Sequence, residues 1–256
     1  MLSINPNASI LNTSARTALS RTSYNDVTLS HHCRRTPAGR PVSDLSAIPV
    51  TTVAEPPVIR RLGEVPYAPT LERMREFTLA RDDSTRDEIW LLEHPPVYTA
   101  GIAGKAEHWP RIDNGIPVLR IDRGGQITYH GPGQLVVYLL LDLRRRGLSV
   151  RPLVRRMEQA VIDVLAGYGI TALGRPEAPG VYVGDAKIAA LGLRVRNGCC
   201  YHGLALNVDV DLAPFRAINP CGYPGLEVTR TQDLGVTDSR AQIGERLIQC
   251  LMETLQ

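Results

Sequence analysis

The feature that most constrains the fold is the dipeptide Asn197-Gly198, which lies between two β-rich segments, Lys187–Arg196 and Cys199–Val208. Asn-Gly is the strongest short signal for a two-residue type I′ turn, because both turn positions need a positive φ. A turn of this length also fixes the register of the two strands. The sequence therefore predicts an antiparallel hairpin in which the last residue of the first strand pairs with the first residue of the second.

Counting outward from the turn predicts two cross-strand pairs of small residues, Gly192 with Gly203 and Ala190 with Ala205. Side chains alternate along a strand, so all four belong to one face of the hairpin. Four small side chains leave a depression, which either lets a helix pack closely over a flat sheet or forms a slot for a slim apolar ligand. The opposite face carries a set typical of a core: Ala189, Leu191, Leu193, Leu204 and Leu206.

The remaining periodic segments mix helices with strands. Three helices are expected. The first follows Pro69-Thr70 and has a buried face of Leu71, Met74, Thr78 and Leu79. The second is capped by Ser149 and has a core stripe of Leu153, Val154, Met157, Val161, Val164 and Leu165, and the third covers Arg240–Leu255. Further strands are expected over Glu88–Leu92, Pro117–Ile121, Leu135–Leu141 and Val181–Val183. The pattern favours an α/β (α+β) fold with a mixed, largely antiparallel sheet and flanking helices.

The 256 residues divide into a tail and one domain. Residues 1–58 are rich in Ser, Thr, Asn, Pro and Arg without an apolar period, so they are predicted to be disordered, or alternatively to be a mitochondrial transit peptide. Residues 59–256 are expected to form the catalytic domain. The longest apolar run is shorter than the roughly 18–20 residues that cross a bilayer. A soluble protein is expected, in the cytoplasm or, if the tail is a transit peptide, in mitochondria.

Five cysteines, an odd number, and the lack of a secretory leader predict reduced thiols and no disulfide framework. Cys221 differs from the others because Pro220 and Gly222 place it on a loop, where its sulfur could be presented to a ligand. The other cysteines lie in expected helices or strands or in the tail: Cys33, Cys199, Cys200 and Cys250. Cys221 is therefore the candidate nucleophile.

A cysteine nucleophile needs a group that accepts its proton, and the candidates are His130, His202 and Lys187. An ammonium group without a partner is costly to bury in an apolar strand, which makes Lys187 unusual. Strict alternation nevertheless places Lys187 on the core face of its strand. Either a bulge intervenes near the turn at Gly184-Asp185, or the site lies at the strand end.

The segment from Arg123 to Gln134, Arg-Gly-Gly-Gln-Ile-Thr-Tyr-His-Gly-Pro-Gly-Gln, is rich in glycine. Glycines allow the backbone to approach a ligand closely, although a tight crossing before a strand would also explain them. The segment lacks the Gly-Lys-Ser/Thr ending of a phosphate-binding loop, and it enters a strand where a dinucleotide fingerprint would enter a helix. Nucleotide binding therefore has no support in the sequence.

Six segments together resemble the lipoyl(octanoyl) transferases, in the order that this family has them. They are Leu92-Glu-His-Pro-Pro-Val-Tyr-Thr-Ala-Gly101, Arg123 to Leu135, Pro179-Gly-Val-Tyr-Val183, Lys187-Ile-Ala-Ala-Leu-Gly192, His202-Gly-Leu-Ala-Leu-Asn-Val208 and Ile218-Asn-Pro-Cys-Gly222. The resemblance covers about residue 60 to the C-terminus. One departure is Tyr182, where the family usually has tryptophan.

The resemblance implies a fold similar to the biotin and lipoate protein ligases and an acyltransferase that forms a thioester on Cys221, with Lys187 tuning the thiol. It implies octanoyl-acyl carrier protein as the donor, and as acceptors the lipoyl domains of 2-oxoacid dehydrogenase E2 subunits and the glycine cleavage H protein. No cofactor, metal, nucleic acid or membrane is expected. The implied substrate-binding residues are Arg123, Gly124, Gly125, Gln126, Ile127, Thr128, Tyr129, His130, Ala190, Leu191, Gly192, Gly203, Leu204 and Ala205.

Three other functions remain open at this point. An ATP-dependent lipoate or biotin ligase would share the fold but would work without Cys221. A Cys-His acyl hydrolase would use His130 or His202. A zinc-binding or carrier-binding module could use Cys199, Cys200, His202 and Cys221, although adjacent cysteines lack the usual ligand spacing.

Overall fold

A computed structural model describes residues 55–110, 113–223 and 225–255, with the side chain of Cys221 outside the described part. Of the predicted tail, residues 1–58, the part up to position 54 lies outside the described residues. The helices are α1 (Tyr67–Ala80), α2 (Val150–Ala166) and α3 (Arg240–Thr254). The strands are β1 (Val58–Glu64), β2 (Glu88–Glu93), β3 (Val97–Ala100), β4 (Val118–Arg120), β5 (Ile127–His130), β6 (Gln134–Asp142), β7 (Leu173–Gly174), β8 (Gly180–Val183), β9 (Ala186–Arg196) and β10 (Cys199–Asn207).

The main sheet has seven strands in the order β1-β2-β6-β10-β9-β8-β7. Only β1 and β2 run parallel in it, whereas every other neighbouring pair is antiparallel. A second sheet has the order β4-β3-β5. This arrangement confirms the expected mixed, largely antiparallel sheet with flanking helices.

The two faces of the main sheet bury different helices. One face packs against α2 and α3 through a large apolar cluster that includes Met157 and Leu247, and the other packs against α1 through a cluster that includes Met74 and Tyr138. Each fully buried apolar side chain of this size contributes about 1.5–3 kcal/mol. Among the described residues, no helix is both long and apolar enough to span a membrane.

The three helices form where the sequence predicts them, although α1 begins at Tyr67, before the expected start signal Pro69-Thr70, and three side chains differ from expectation. Leu71, Met74 and Thr78 are buried in α1 as expected, but Leu79 is 52% exposed. The stripe of α2 is buried except for Val154, which is only partly covered. Ser149 occupies the N-cap of α2, yet its side chain makes no capping hydrogen bond there.

The Asn-Gly hairpin forms in the predicted register. Asn197 and Gly198 both have positive φ, at 51° and 79°, as a type I′ turn requires. Arg196 pairs with Cys199, Gly192 with Gly203, and Ala190 with Ala205. The turn therefore sets the geometry of the face that carries the small residues.

A bulge in β9 decides where Lys187 lies. Val181 pairs with Ala189 but Tyr182 pairs with Lys187, so Ile188 is an extra residue on the β9 side. Ile188 is buried in the core, and Lys187 lines a cavity with Ala190 and Gly192. Of the two alternatives left open by the sequence, a bulge near the turn is the correct one, because one inserted residue reverses the alternation.

Candidate active site

A cavity of about 350 Å³ lies over the small residues of the hairpin. Its walls come from the glycine-rich segment, from β6, β9 and β10, from the start of α2 and from the loop before β8. This volume is within the range of small-molecule sites, which are mostly apolar with a few polar groups. Of the predicted site residues whose side chains are described, only Tyr129 does not line this cavity. The residues that do are Lys187, Arg123, Gly124, Gly125, Gln126, Ile127, Thr128, His130, Ala190, Leu191, Gly192, Gly203, Leu204 and Ala205.

The two glycines of the hairpin are needed for different reasons. A Cβ on Gly192 would lie 3.1 Å from Cδ of Arg123 and 3.2 Å from the carbonyl oxygen of Gly124, so the glycine-rich segment packs directly over it. A Cβ on Gly203 would lie only 2.0 Å from the carbonyl oxygen of Val137 in β6. The glycine-rich segment, and not a helix, therefore packs closely over Gly192, and the small residues of this face line the cavity.

Tyr129 is directed elsewhere. Its ring packs edge-to-face against Phe215, with ring centroids 5.4 Å apart, and against Tyr98 in the small sheet. Residues alternate along β5, so Thr128 and His130 line the cavity while Tyr129 between them joins a separate apolar cluster.

Lys187 is buried, with 3% of its surface exposed. Its Nζ donates a hydrogen bond to the carbonyl oxygen of Pro179 at 3.2 Å and lies 5.1 Å from the ring centroid of Tyr182. The ring that stands where the family usually has tryptophan therefore still faces the amine.

The loop of Cys221 is attached to the site on both sides. Cys221 belongs to a single 3-10 turn, Pro220–Gly222, and a Cβ on Gly222 would lie 2.9 Å from Cγ of Gln126, a cavity residue. Farther along the chain, Lys187 N–H donates to Glu227 O at 2.9 Å and Thr229 N–H donates to Lys187 O at 3.0 Å. The segment is thus fixed against both the glycine-rich segment and the strand of Lys187.

Arg123 secures the glycine-rich segment from beneath. One of its terminal nitrogens, Nη2, donates to the carbonyl oxygen of Thr99 at 2.6 Å and to its hydroxyl at 3.0 Å, while Nη1 donates to the carbonyl oxygen of Gly124 at 2.9 Å. These bonds tie the segment to β3. They explain why a buried arginine follows the short strand β4 and precedes two glycines.

His202 lines the cavity and is held in place by the carboxylate of Asp122. It has a positive φ of 65°, which is uncommon for residues other than glycine. Its Nε2 donates to Asp122 Oδ1 at 3.2 Å, and Tyr201 OH donates to Asp122 Oδ2 at 2.5 Å. Burial acts to raise the pKa of Asp122, but the hydrogen bonds from His202 and Tyr201 outweigh it and hold that pKa well below its usual range.

Several cavity residues were not predicted from the sequence. They are Tyr67, Val136, Tyr138, Val150, Val154, Glu177, Ala178, Pro179, Leu193 and Tyr223, whereas His202 was already a candidate. They come from six parts of the chain that only the folded sheet brings together. The one available signal was Pro179, because it lies in a segment that resembles the octanoyltransferases.

Comparison with protein-family models matches residues 66–252 to the lipoyl protein ligase A/B catalytic domain. The chain belongs to this family. Within it, the octanoyltransferase of Azoarcus sp. (strain BH72) is 65% identical over 207 residues, covering 81% of this chain and 91% of that protein. The octanoyltransferase of Aromatoleum aromaticum (strain DSM 19018 / LMG 30748 / EbN1) is 67% identical over 198 residues, covering 77% and 85%.

The fold is similar to that of solved lipoate ligases. The bipartite lipoate protein ligase of Thermoplasma acidophilum superposes with a TM-score of 0.61 at 22% identity, covering 79% of this chain and 84% of that chain. The family match and the octanoyltransferase relatives confirm the resemblance read from six sequence segments. This member of the ligase A/B family is an acyltransferase, as its octanoyltransferase relatives are.

Two histidines of this family member lie buried beside the cavity and are neutral at pH 7. His130 bonds through Nδ1 to Gln134 Oε1 at 2.7 Å, and His94 bonds through Nδ1 to Val65 O at 2.6 Å and through Nε2 to Tyr138 OH at 2.7 Å. Burial lowers the pKa of His94 to about 4, and burial together with the nearby His94 lowers the pKa of His130 to about 3. Neither is suited to accept a proton from a thiol near neutral pH.

These buried histidines predict a loss of stability in mild acid. An unfolded histidine titrates near 6.5, so below that pH the unfolded state takes up protons that folded His94 and His130 do not. The free energy of unfolding is therefore highest above pH 6.5, and it decreases as the pH falls towards the pKa values of the two histidines in the folded state. At pH 5 the free energy of unfolding should be about 4 kcal/mol smaller than at pH 7, roughly 2 kcal/mol for each ring.

Urea unfolding followed by circular dichroism at pH 7 and pH 5 measures this difference. His130→Gln, which keeps a polar side chain but cannot titrate, should remove about half of it. Equal free energies of unfolding at the two pH values would show that the rings are not buried in their neutral form.

Proposed function

We propose that this acyltransferase moves an octanoyl group from octanoyl-acyl carrier protein, through a thioester on Cys221, to a specific lysine of lipoyl domains. The acceptors are the E2 subunits of 2-oxoacid dehydrogenases and the glycine cleavage H protein. The observation that carries the proposal is the position of the buried Lys187 amine. It lines the cavity at one end of the row of small residues, on a strand whose backbone is bonded to the segment that follows Cys221.

The cavity supports an acyl ligand because much of its wall is apolar. Val136, Ala190 and Ala205 contribute apolar side chains to this wall, and Gly192 and Gly203 leave room for a slim chain. Burying the seven methyl and methylene groups of an octanoyl chain at about 0.8 kcal/mol each contributes roughly 5–6 kcal/mol to binding. The row of small residues would therefore hold the alkyl chain, with the carbonyl carbon nearest Lys187.

In the first step the sulfur of Cys221 attacks the carbonyl carbon of the donor thioester. The thiol proton passes to the neutral amine of Lys187, a new C–S bond forms, and the bond to the phosphopantetheine sulfur breaks. The leaving thiolate takes the proton back from the Lys187 ammonium group. One thioester replaces another, so the step needs no external source of energy.

In the second step the amine of the lipoyl-domain lysine attacks the acyl-enzyme. A C–N bond forms, the C–S bond to Cys221 breaks, and the proton of the attacking amine passes by way of Lys187 to the cysteine sulfur. The amine must be neutral, and with a usual pKa of about 10.4 its deprotonation at pH 7 costs about 4.6 kcal/mol. A nearby base that accepts this proton during the attack removes part of that cost.

The test is the intact mass of the protein after mixing with octanoyl-acyl carrier protein. We expect an increase equal to one octanoyl group, mapped to the peptide that contains Cys221 and lost when a lipoyl domain is added. The lipoyl domain should gain the same group on one lysine without ATP. An unchanged mass would contradict the thioester intermediate, and release of free octanoate without transfer would indicate a hydrolase.

A further inference from the structure

The peptide group between Pro179 and Gly180 links Lys187 to a carboxylate that does not line the cavity. Its carbonyl oxygen accepts the hydrogen bond from Lys187 Nζ at 3.2 Å. Its N–H, at the other end of the same peptide group, donates to Oε1 of Glu158 at 2.9 Å. One rigid planar unit thus connects the side chain of α2 with the amine.

The carboxylate of Glu158 is enclosed by two glycines. A Cβ on Gly174 would lie 2.9 Å from Oε2 of Glu158. Gly180, on the other side, has a φ of 151°, and a Cβ there would lie 2.8 Å from Cε and 3.0 Å from Nζ of Lys187. Larger residues at either position would displace the carboxylate or the amine, so both glycines preserve this arrangement.

The environment of Glu158 is not that of an ordinary surface residue. Burial raises the pKa of Glu158, whereas the Gly180 N–H, the protonated form of Lys187 and the positive charge of Arg155 act to lower it. A carboxylate that accepts a peptide N–H also polarises that peptide group, which strengthens the carbonyl oxygen as an acceptor. The effect is directed at the oxygen that Lys187 contacts.

We propose that Glu158 is a positioning residue for the transfer reaction, because it fixes the Pro179–Gly180 peptide group whose carbonyl oxygen orients the Lys187 amine. Glu158 projects from α2, a helix with its core stripe buried, so the anchor is rigid. The inference rests on the proposed role of Lys187 in moving protons. A proton acceptor that is misplaced by about 1 Å can lose roughly 100-fold in rate.

The test compares Glu158→Ala with Glu158→Gln in the formation of the acyl-enzyme from octanoyl-acyl carrier protein. Glu158→Ala leaves the Gly180 N–H without its acceptor and should slow the maximal rate roughly 10- to 100-fold, with the KM for the donor within about twofold of wild type. Glu158→Gln keeps an oxygen acceptor at the same reach and should recover most of the rate. Gln159→Ala, an exposed neighbour on the same helix, is the matched control and should leave the rate unchanged.

Three outcomes would overturn the proposal: an unchanged rate in Glu158→Ala, a glutamine variant as slow as the alanine variant, or a raised KM with an unchanged maximal rate. If the alanine variant does not fold, Glu158→Asp replaces it, since the shorter side chain cannot reach the Gly180 N–H. Parallel measurements on Lys187→Ala separate this idea from the proposed function. A slow Lys187 variant beside a normal Glu158→Ala would refute only the positioning role, whereas a fast Lys187 variant would refute the function on which it rests.

Discussion

Replacing Cys221 by serine is expected to abolish octanoyl transfer to a lipoyl domain while leaving the fold intact. A serine hydroxyl loses its proton far less readily than a thiol, so it is a far weaker nucleophile than a thiolate at neutral pH. Losing a covalent nucleophile typically lowers the rate by a factor on the order of 10³ or more. The measurement is the initial rate of octanoyl-lipoyl domain formation from octanoyl-acyl carrier protein without ATP.

Cys250→Ser is the matched control for the loss of one sulfur. Cys250 lies on α3, partly buried and remote in sequence from every cavity residue, so its replacement should leave the rate within about twofold of wild type. If Cys221→Ser still transferred octanoate at the wild-type rate, the acyl-enzyme would not exist. If the variant required ATP and free octanoate for activity, the chemistry would be that of a ligase.

The sequence predicts the parts of the fold that depend on neighbouring residues. The Asn-Gly turn determined the β9–β10 register because both turn residues adopt positive φ, and the apolar run of β6 predicted a central strand. The short strands β3, β5 and β7 were not predicted as elements. Two to four residues carry too little periodicity to be distinguished from a loop. These strands form by pairing with strands distant in the sequence or across a turn, β3 with β4 and β5, and β7 with β8.

The site shows the same division. The resemblance gave a residue set that lines the cavity almost completely, but the side of the sheet on which Lys187 lies depended on one inserted residue, Ile188. No local pattern marks such a bulge, because the residues that follow Lys187, from Ile188 to Leu191, are all small or apolar. The role of Glu158 could not be predicted from the sequence either, because its partner Gly180 is 22 positions away and Glu158 resembles any other polar residue on a helix.

Lys187→Ala gives the second large effect that we expect, a slower formation of the acyl-enzyme by a factor of about 10²–10⁴, as for loss of a general acid–base group. In the proposed mechanism this amine accepts the thiol proton and returns it to the leaving sulfur, and burial keeps the pKa values of His94 and His130 too low for either to replace it. His130 was another candidate proton acceptor in the sequence. Burial lowers its pKa to about 3, so it binds protons too weakly to serve near pH 7. Rapid-quench mass spectrometry of the acyl-enzyme measures the rate.

The chain offers a matched control, because Lys105 and Lys187 are its two lysines. Lys105 has a side chain that is 67% exposed and pairs only loosely with Glu107 at 3.6 Å, so Lys105→Ala should retain the wild-type rate. Lys187→Arg keeps a positive charge but cannot deprotonate, and it should be nearly as slow as Lys187→Ala. An arginine variant with close to the full rate would mean that position 187 acts through its charge alone, and a fast alanine variant would remove this lysine from the reaction.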